Sequence, residues 1–162
     1  IISKEFTEDI SETILRAKEV GVTKILLPNI DVLSINPMLE LDKNYDCFYP
    51  MLGLHPTSVN SDFESQLKEI ESYLDKVNIY AIGEIGIDLY WDKTFIEEQK
   101  IAFEKQIEWA LERNLPMSII FVKDSMKHYY LLINLVEGLK LQINYIKEFF
   151  IALEEICNKQ EK

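Results

Sequence analysis

The strongest constraint on the fold is the segment over residues 80–91, which joins an apolar run to one carboxylate. The apolar residues 79–82 predict a strand buried on both faces. Glu84 follows between Gly83 and Gly86, and a carboxylate beside a core strand is costly unless a metal, a proton or a basic group meets it. The glycines allow a ligand or another backbone to approach. Because ligands lie at strand carboxyl ends in strand-helix folds, Glu84 is the first candidate for chemistry.

The size and charge of the chain limit what it can be. Its 162 residues, 48% of them hydrophobic, suffice for one sizeable core, so we expect a single domain over residues 1–162. The net charge of -11 argues against a broad electrostatic grip on nucleic acid, but leaves room for a local basic pocket. No apolar run is long enough to span a bilayer, which predicts no membrane association. The two cysteines suggest no disulfide framework, and we expect a cytoplasmic protein.

Four strand-like segments predict a parallel sheet. They are short, apolar or β-branched, and cover residues 22–27, 47–53, 79–82 and 117–122. Amphipathic helices separate them, and this alternation indicates a parallel α/β sheet or barrel. The alternation stops after the fourth strand, because apolar residues spaced by four and three predict a helix within residues 129–162.

Local signals predict where the helices begin. The first helix opens at residues 7–10 and stops at Gly21. Asn36 before Pro37 predicts an N-cap and the first position of a second, short helix. Two pairs have the spacing of a capping box and predict the next two helix starts: Ser61 with Glu64, and Thr94 with Glu97.

Three segments, each at a predicted strand end, together resemble the TatD family of metal-dependent deoxyribonucleases. They are residues 24–31 (KILLPNID), 51–56 (MLGLHP) and 83–91 (GEIGIDLYW), and the likeness runs in register from about residue 5 to 124. The resemblance implies a TIM-type barrel that hydrolyses phosphodiester bonds with divalent metal ions, Zn²⁺, Mn²⁺ or Mg²⁺, at its strand ends. DNA or another phosphodiester is then the expected substrate.

The resemblance also assigns roles and boundaries. Glu84 takes the place of a family glutamate and is the expected catalytic residue and metal ligand. His55 takes the place of the histidine in the family's Gly-x-His-Pro motif, and is expected to contact the substrate phosphate. We expect an α/β fold with a partial TIM-type barrel of about four parallel strands and outer helices over residues 1–124. A C-terminal helical tail is expected over residues 125–162.

The chain departs from the family pattern at several metal-ligand positions. Its only histidines are His55 and His128, so the family's His-x-His pair is absent from this sequence. Where the family has a metal-binding histidine on the fifth strand, this chain has Ile119 and Ile120, followed by Lys123 in the place of an arginine. A complete barrel of this kind takes ~250 residues. We therefore expect the chain to form part of such a barrel.

Each candidate residue also has a plainer explanation. The Glu84 carboxylate can form an ion pair with a lysine or accept hydrogen bonds from backbone amides. A single carboxylate does not hold Zn²⁺ or Mn²⁺. His55 can be a structural residue. The remaining candidates, which can be loop, strand-end or helix-surface residues, are Asp88, Tyr90, Trp91, Lys123 and His128.

Three functional hypotheses remain open. The first is a TatD-type metal-dependent hydrolase of phosphodiester bonds. The second is a catalytically inactive, truncated remnant with only a structural or self-association role, which the missing ligands favour. The third, an amidohydrolase-like barrel acting on amides or esters, is disfavoured by residues 83–91. In any of them the partial sheet would have unpaired edges, so we expect a homo-oligomer formed through those edges, or a cover supplied by residues 129–162.

Overall fold

The computed structural model describes residues 9–121, and the fold is given for that part of the chain. Four strands form one sheet in the order β1-β2-β3-β4, and every pair of neighbours is parallel. They are β1 Ile25–Pro28, β2 Phe48–Leu52, β3 Ala81–Ile87 and β4 Met117–Phe121. A parallel sheet with each strand beside the next in sequence confirms the predicted α/β class.

Four α-helices alternate with the strands, as the sequence predicted. They are α1 Ile10–Glu19, α2 Ile35–Asn44, α3 Phe63–Leu74 and α4 Ile96–Glu112. Two short 3₁₀ helices, Val32–Ser34 and Pro56–Ser58, follow β1 and β2. The carboxyl ends of three strands therefore lead into local helical turns or loops, where functional residues of such folds lie.

Helices α3 and α4 supply much of the core. Helix α3 buries residues spaced by four, three and four, which gives it one apolar face: Phe63, Leu67, Ile70 and Leu74. On α4, Trp109 is fully buried, and its indole N–H donates to Glu71 Oε1 of α3 at 2.8 Å. This bond satisfies the one polar atom of a large buried side chain and ties the two helices together.

The start of α2 differs from the prediction at Asn36 and Pro37. Asp31 and Ser34 cap the first 3₁₀ helix reciprocally: the Ser34 N–H donates to Asp31 Oδ1, and the Asp31 N–H donates to Ser34 Oγ, each at 2.9 Å. The 3₁₀ helix then runs directly into α2, which begins at Ile35. An N-cap at Asn36 is therefore wrong, because the capping bonds lie one short helix earlier.

Neither predicted capping box starts the helix that follows it. Helices α3 and α4 have Asp62 and Phe95 at their N-cap positions, and neither makes a side-chain capping bond. Thr94 instead donates its hydroxyl to Asp92 Oδ1 at 2.7 Å, inside the preceding loop. Both capping-box predictions are wrong, and at α4 the reason is that Thr94 bonds Asp92 in the loop instead of capping the helix.

Strand β3 continues through Glu84 to Ile87, further than residues 79–82 indicated. Its pairing with β4 shifts by one residue between Gly83 and Ile85, which makes Glu84 the extra residue of a β-bulge. The peptide bond between Gly83 and Glu84 is cis. Glu84 therefore lies within a strand rather than directly after it, because the buried Ile85 and Ile87 extend the core pattern.

The glycines around Glu84 make room for β4 rather than for a ligand. A Cβ atom at Gly83 would lie 2.6 Å from Cβ of Ser118. Gly86 has φ +144°, and a Cβ there would collide with the carbonyl oxygen of Ile120. Close approach of another backbone, one of the two options that the sequence left open, is thus what the structure contains.

Several predictions fall on residues that the structure does not describe. They concern the opening of the first helix at residues 7–8, the side chains of Lys123 and His128, and the helical tail over residues 125–162. The single-domain organisation therefore stays a prediction. Within residues 9–121, no helix is long and apolar enough to cross a membrane.

We expect Gly86→Ala to lower the free energy of unfolding by roughly 3 kcal/mol or more, because it adds a collision with β4 to a strained φ. Gly21→Ala is the matched control: Gly21 has φ +89° but nothing within 4 Å of its Cβ position. The control should lose only ~1 kcal/mol. Urea unfolding followed by circular dichroism measures both, and equal losses would contradict the close β3–β4 approach.

Candidate functional site

His55 lies just beyond the carboxyl end of β2, at the N-cap position of the 3₁₀ helix Pro56–Ser58. Its Nδ1 accepts a hydrogen bond from the Thr57 backbone N–H at 3.2 Å and lies 2.6 Å from Thr57 Oγ1. A backbone N–H can only donate, so Nδ1 carries no proton in this arrangement. The neutral ring therefore has its proton on Nε2, which makes His55 a hydrogen-bond donor at the strand end.

Burial lowers the pKa of His55 from its ordinary value of 6.5, because it disfavours the charged ring. The negative charges of Glu84 and Asp88 act in the opposite direction and are outweighed. His55 is thus neutral at pH 7. Both carboxylates are close enough for the ring to respond to their charges, so the fold brings together three residues that the sequence analysis singled out.

Glu84 is half-buried in the β3 bulge. Among residues 9–121, no hydrogen-bond or ion-pair partner of its carboxylate is found. Within this part of the chain, the plainer explanation of a carboxylate satisfied by a lysine or by backbone amides is therefore not supported. A half-buried carboxylate beside a histidine, with no partner among residues 9–121, is what a binding or catalytic site offers.

The loop after β3 contains one buried acid and two exposed aromatic residues. Asp88 is 7% exposed, and its Oδ1 accepts the Tyr90 N–H at 2.9 Å, which is the loop-amide bond of the plainer explanation. Tyr90 and Trp91 pack edge to face with ring centroids 4.8 Å apart, yet they remain 68% and 79% exposed. These aromatic side chains therefore do not serve mainly to cover a helix.

Two buried glutamines on α4, which the sequence analysis did not single out for chemistry, hold the strand ends. The Gln106 side chain accepts the Leu54 N–H at 2.6 Å and donates to the Leu54 carbonyl at 3.3 Å. The Gln99 side chain accepts the Asp88 N–H at 2.9 Å and donates to the Asp88 carbonyl at 3.2 Å. Each side-chain amide thus takes the place of water at the backbone groups of one residue beyond a strand end. Gln106 does so at Leu54, next to His55, and Gln99 does so at Asp88, in the loop before Trp91.

Asn29 makes the same kind of contact between the first two strand ends. Its side chain accepts the Gly53 N–H at 2.8 Å and donates to the carbonyls of Gly53 and Asp31, both at 2.9 Å. Asn29 is fully buried, so these bonds compensate for the loss of water. The sequence offered one signal for this contact, an amide side chain at a predicted strand end. The sequence alone could not identify its partner Gly53, which lies 24 residues away.

A groove of about 890 Å³ runs along the carboxyl ends of β1, β2 and β3. Its walls come from the loop after β1, the second 3₁₀ helix, the start of α3 and the loop that leads into α4. Thr57 and Asp88 line it, so it begins beside His55. None of the described lining residues is Lys, Arg or His. Five of them carry carboxylates: Asp31, Asp62, Glu69, Asp88 and Asp92.

The described residues do not by themselves form a metal centre. Within residues 9–121, no group of three or more His, Cys, Asp or Glu side chains is placed to hold a metal ion. Zinc sites need three or four protein ligands, and Nδ1 of His55 already has a hydrogen-bond partner in Thr57. Ile119 and Ile120 lie in β4, where the family resemblance places a histidine.

Comparisons with known proteins match this chain to a family. The family model described as "TatD related DNase" matches residues 1–135. The uncharacterized metal-dependent hydrolase YabD of Bacillus subtilis (strain 168) is 34% identical over 117 residues, which cover 72% of this chain and 46% of the relative. The 3'-5' ssDNA/RNA exonuclease TatD of Pectobacterium carotovorum is 28% identical over 118 residues, which cover 72% of this chain and 45% of the relative.

A solved structure gives the same result for the fold. The crystal structure of YjjV, a TatD homolog from Escherichia coli K12, superposes with a TM-score of 0.74 at 27% identity. The match covers 82% of this chain and 52% of that structure, which confirms the predicted partial TIM-type barrel. The chain spans about half the length of the curated relatives it matches.

Replacing Gln106 by Leu should destabilise the protein, because the N–H and carbonyl of Leu54 would be buried without partners. We expect a loss of roughly 2–4 kcal/mol in the free energy of unfolding. Gln66→Leu is the control, since the Gln66 side chain bonds Asn60 at an exposed position, and this change should alter stability by less than ~0.5 kcal/mol. Equal effects in urea titrations would show that the Leu54 contact is not structural.

The lowered pKa of His55 predicts a loss of stability in acid. Because the unfolded chain binds a proton at His55 more readily than the folded chain does, stability falls as the pH drops from 6.5 through the folded pKa. Between pH 7 and pH 5, the wild-type chain should therefore lose more unfolding free energy than His55→Gln. His128 is present in both proteins, so its contribution to the pH dependence cancels in the comparison. An equal or smaller loss in the wild type would contradict the neutral, half-buried ring.

Proposed function

This chain belongs to the TatD family, and on that premise we propose that it acts in metal-dependent hydrolysis of phosphodiester bonds, with DNA as the substrate. The observation that carries the proposal is the pairing of two features at adjacent strands. Glu84 is a half-buried carboxylate without a described partner, and His55 beside it is a neutral Nε2–H donor. Such pairs of electrostatically coupled groups are typical of catalytic clefts.

We propose His55 as the substrate-binding residue. Its Nε2–H can donate to a phosphate oxygen, and Thr57 fixes the ring orientation through Nδ1. A bound phosphate would add negative charge beside the ring, so the pKa of His55 should rise on binding. The ring can then strengthen its hydrogen bond by taking up a proton when the substrate arrives.

We propose Glu84 as the catalytic residue and as a ligand of the metal ion, Zn²⁺, Mn²⁺ or Mg²⁺. In hydrolases of this class, the metal supplies a Lewis acid and an activated water. The ligand set does not fit within residues 9–121 alone, so further donors have to come from outside this range. What Glu84 itself provides is a fixed negative charge on the bulge between β2 and β4.

The incomplete ligand set within residues 9–121 favours a second candidate, a catalytically inactive member of the family with a structural or self-association role. No group of side chains placed to hold a metal ion occurs in the described residues. Ile119 and Ile120 also lie in β4, where the family resemblance places a metal-binding histidine. Self-association through the outer strands of the described sheet is part of this proposal, since Leu26 on β1 is 60% exposed. We also propose a cytoplasmic location for either candidate, because the two cysteines suggest no disulfide framework.

Hydrolysis of a short single-stranded DNA with added Mn²⁺ or Mg²⁺ separates the two candidates. For the enzyme, we expect cleavage that falls at least ~100-fold in Glu84→Gln, because the substitution removes the charge beside His55. Glu64→Gln on the exposed surface of α3 is the control and should retain full activity. Circular dichroism must show that all three proteins are folded. No cleavage by the folded wild-type chain would favour the inactive candidate.

A further inference from the structure

We propose that the groove beside His55 binds the base and sugar of a nucleic-acid substrate, with Trp91 as the stacking residue. The inference rests on the proposed function, which places a phosphate at His55. It goes further in naming which part of the nucleotide the 890 Å³ groove receives. It also assigns a role to the two exposed aromatic residues after β3.

The exposure of Trp91 is the first observation. A tryptophan that is 79% exposed leaves a large apolar face in water, although it lines a groove. Its edge-to-face contact with Tyr90, at a centroid distance of 4.8 Å, restrains the indole ring without covering it. Aromatic side chains in this situation are the usual stacking surfaces for unpaired bases, because every base offers a π face.

The charge of the groove is the second observation. Its carboxylates repel phosphate groups, and no described lining residue carries a positive side chain. The part of a nucleotide that can enter is therefore the uncharged base with its sugar. Carboxylate and amide oxygens accept hydrogen bonds, which suits the exocyclic amino groups of bases such as adenine.

The position of the groove relative to His55 is the third observation. Thr57 lines the groove and also contacts Nδ1 of His55. Asp88 lines it as well, and its charge acts on the same ring. A base in the groove and a phosphate at His55 can therefore belong to neighbouring parts of one short single strand.

The loop that carries Trp91 is held before any ligand arrives. The Gln99 side chain bonds both backbone groups of Asp88, and Asp88 in turn accepts the Tyr90 N–H. Gln99 also lines the groove. A wall fixed in this way loses less conformational freedom when a base binds, which favours binding.

Tryptophan fluorescence tests the proposal directly. The chain has two tryptophans, and Trp109 is fully buried with its N–H bonded to Glu71, so a ligand-induced change reports on Trp91. The full chain, in buffer with EDTA, is titrated with a tetradeoxyadenylate and with an abasic strand of equal phosphate number. We expect saturable quenching by the base-bearing strand and none by the abasic strand. Equal responses to both strands, or a response to neither, would overturn the proposal.

Variants measured with a fluorescein-labelled tetradeoxyadenylate give a second, independent result. Trp91→Ala should weaken binding about 5- to 150-fold, whereas Trp91→Phe keeps a stacking ring and should stay within about threefold. Tyr80→Ala is the control, because Tyr80 is an exposed aromatic residue just before β3, at the opposite end of that strand. An equal loss in Trp91→Ala and Tyr80→Ala would contradict a specific role for Trp91.

The outcome is separable from that of the hydrolysis assay. DNA cleavage together with equal binding of base-bearing and abasic strands would retain the hydrolase and reject the base site. Base-dependent quenching without any cleavage would retain the base site and reject the hydrolase. In buffer without EDTA, saturable quenching by Mn²⁺ alone, without a response to the oligonucleotide, would show that the acidic groove takes a cation and would reject the base site.

Discussion

Hydrogen bonds between buried amide side chains and the backbone at the strand ends are the interaction on which the site depends. Gln106 and Gln99 of α4 bond the backbone N–H and carbonyl groups of Leu54 and Asp88, just beyond the regular strand pairing. The two glutamines are seven residues apart, which is about two helical turns and places them on one face. One helix thus fixes both the segment before His55 and the loop before Trp91.

The close approach of β3 and β4 determines the position of the Glu84 carboxylate. Gly83 and Gly86 admit the backbone of β4, and the bulge between them leaves Glu84 outside the regular ladder. A carboxylate at that position acts on His55, while burial keeps the ring neutral. The acidic groove then continues from His55 toward Trp91. In the function proposed here, this surface offers separate places for a phosphate, at His55, and for an uncharged base, in the groove.

Much of the fold could be predicted from the sequence, because the strand-helix alternation and the three motifs carry strong local signals. His55, Glu84 and Asp88 were found in the same way, and the structure brings them together. The glutamine contacts were not found, because a helical glutamine resembles a surface residue, and the partner of Gln106 lies 52 residues away. Loop bonds such as those of Thr94 displaced the helix starts, and such competition between local partners is not visible in spacing alone.

The protonation state of the His55 ring tests this arrangement most directly, and ¹⁵N NMR on the full chain measures it, with His55→Gln to assign the signal. We expect a neutral ring at pH 7 with its proton on Nε2, because Nδ1 accepts the Thr57 N–H. We also expect the Nε2 signal to shift when a short single-stranded DNA is added. A proton on Nδ1, or a charged ring at pH 7 without DNA, would contradict the arrangement of the site.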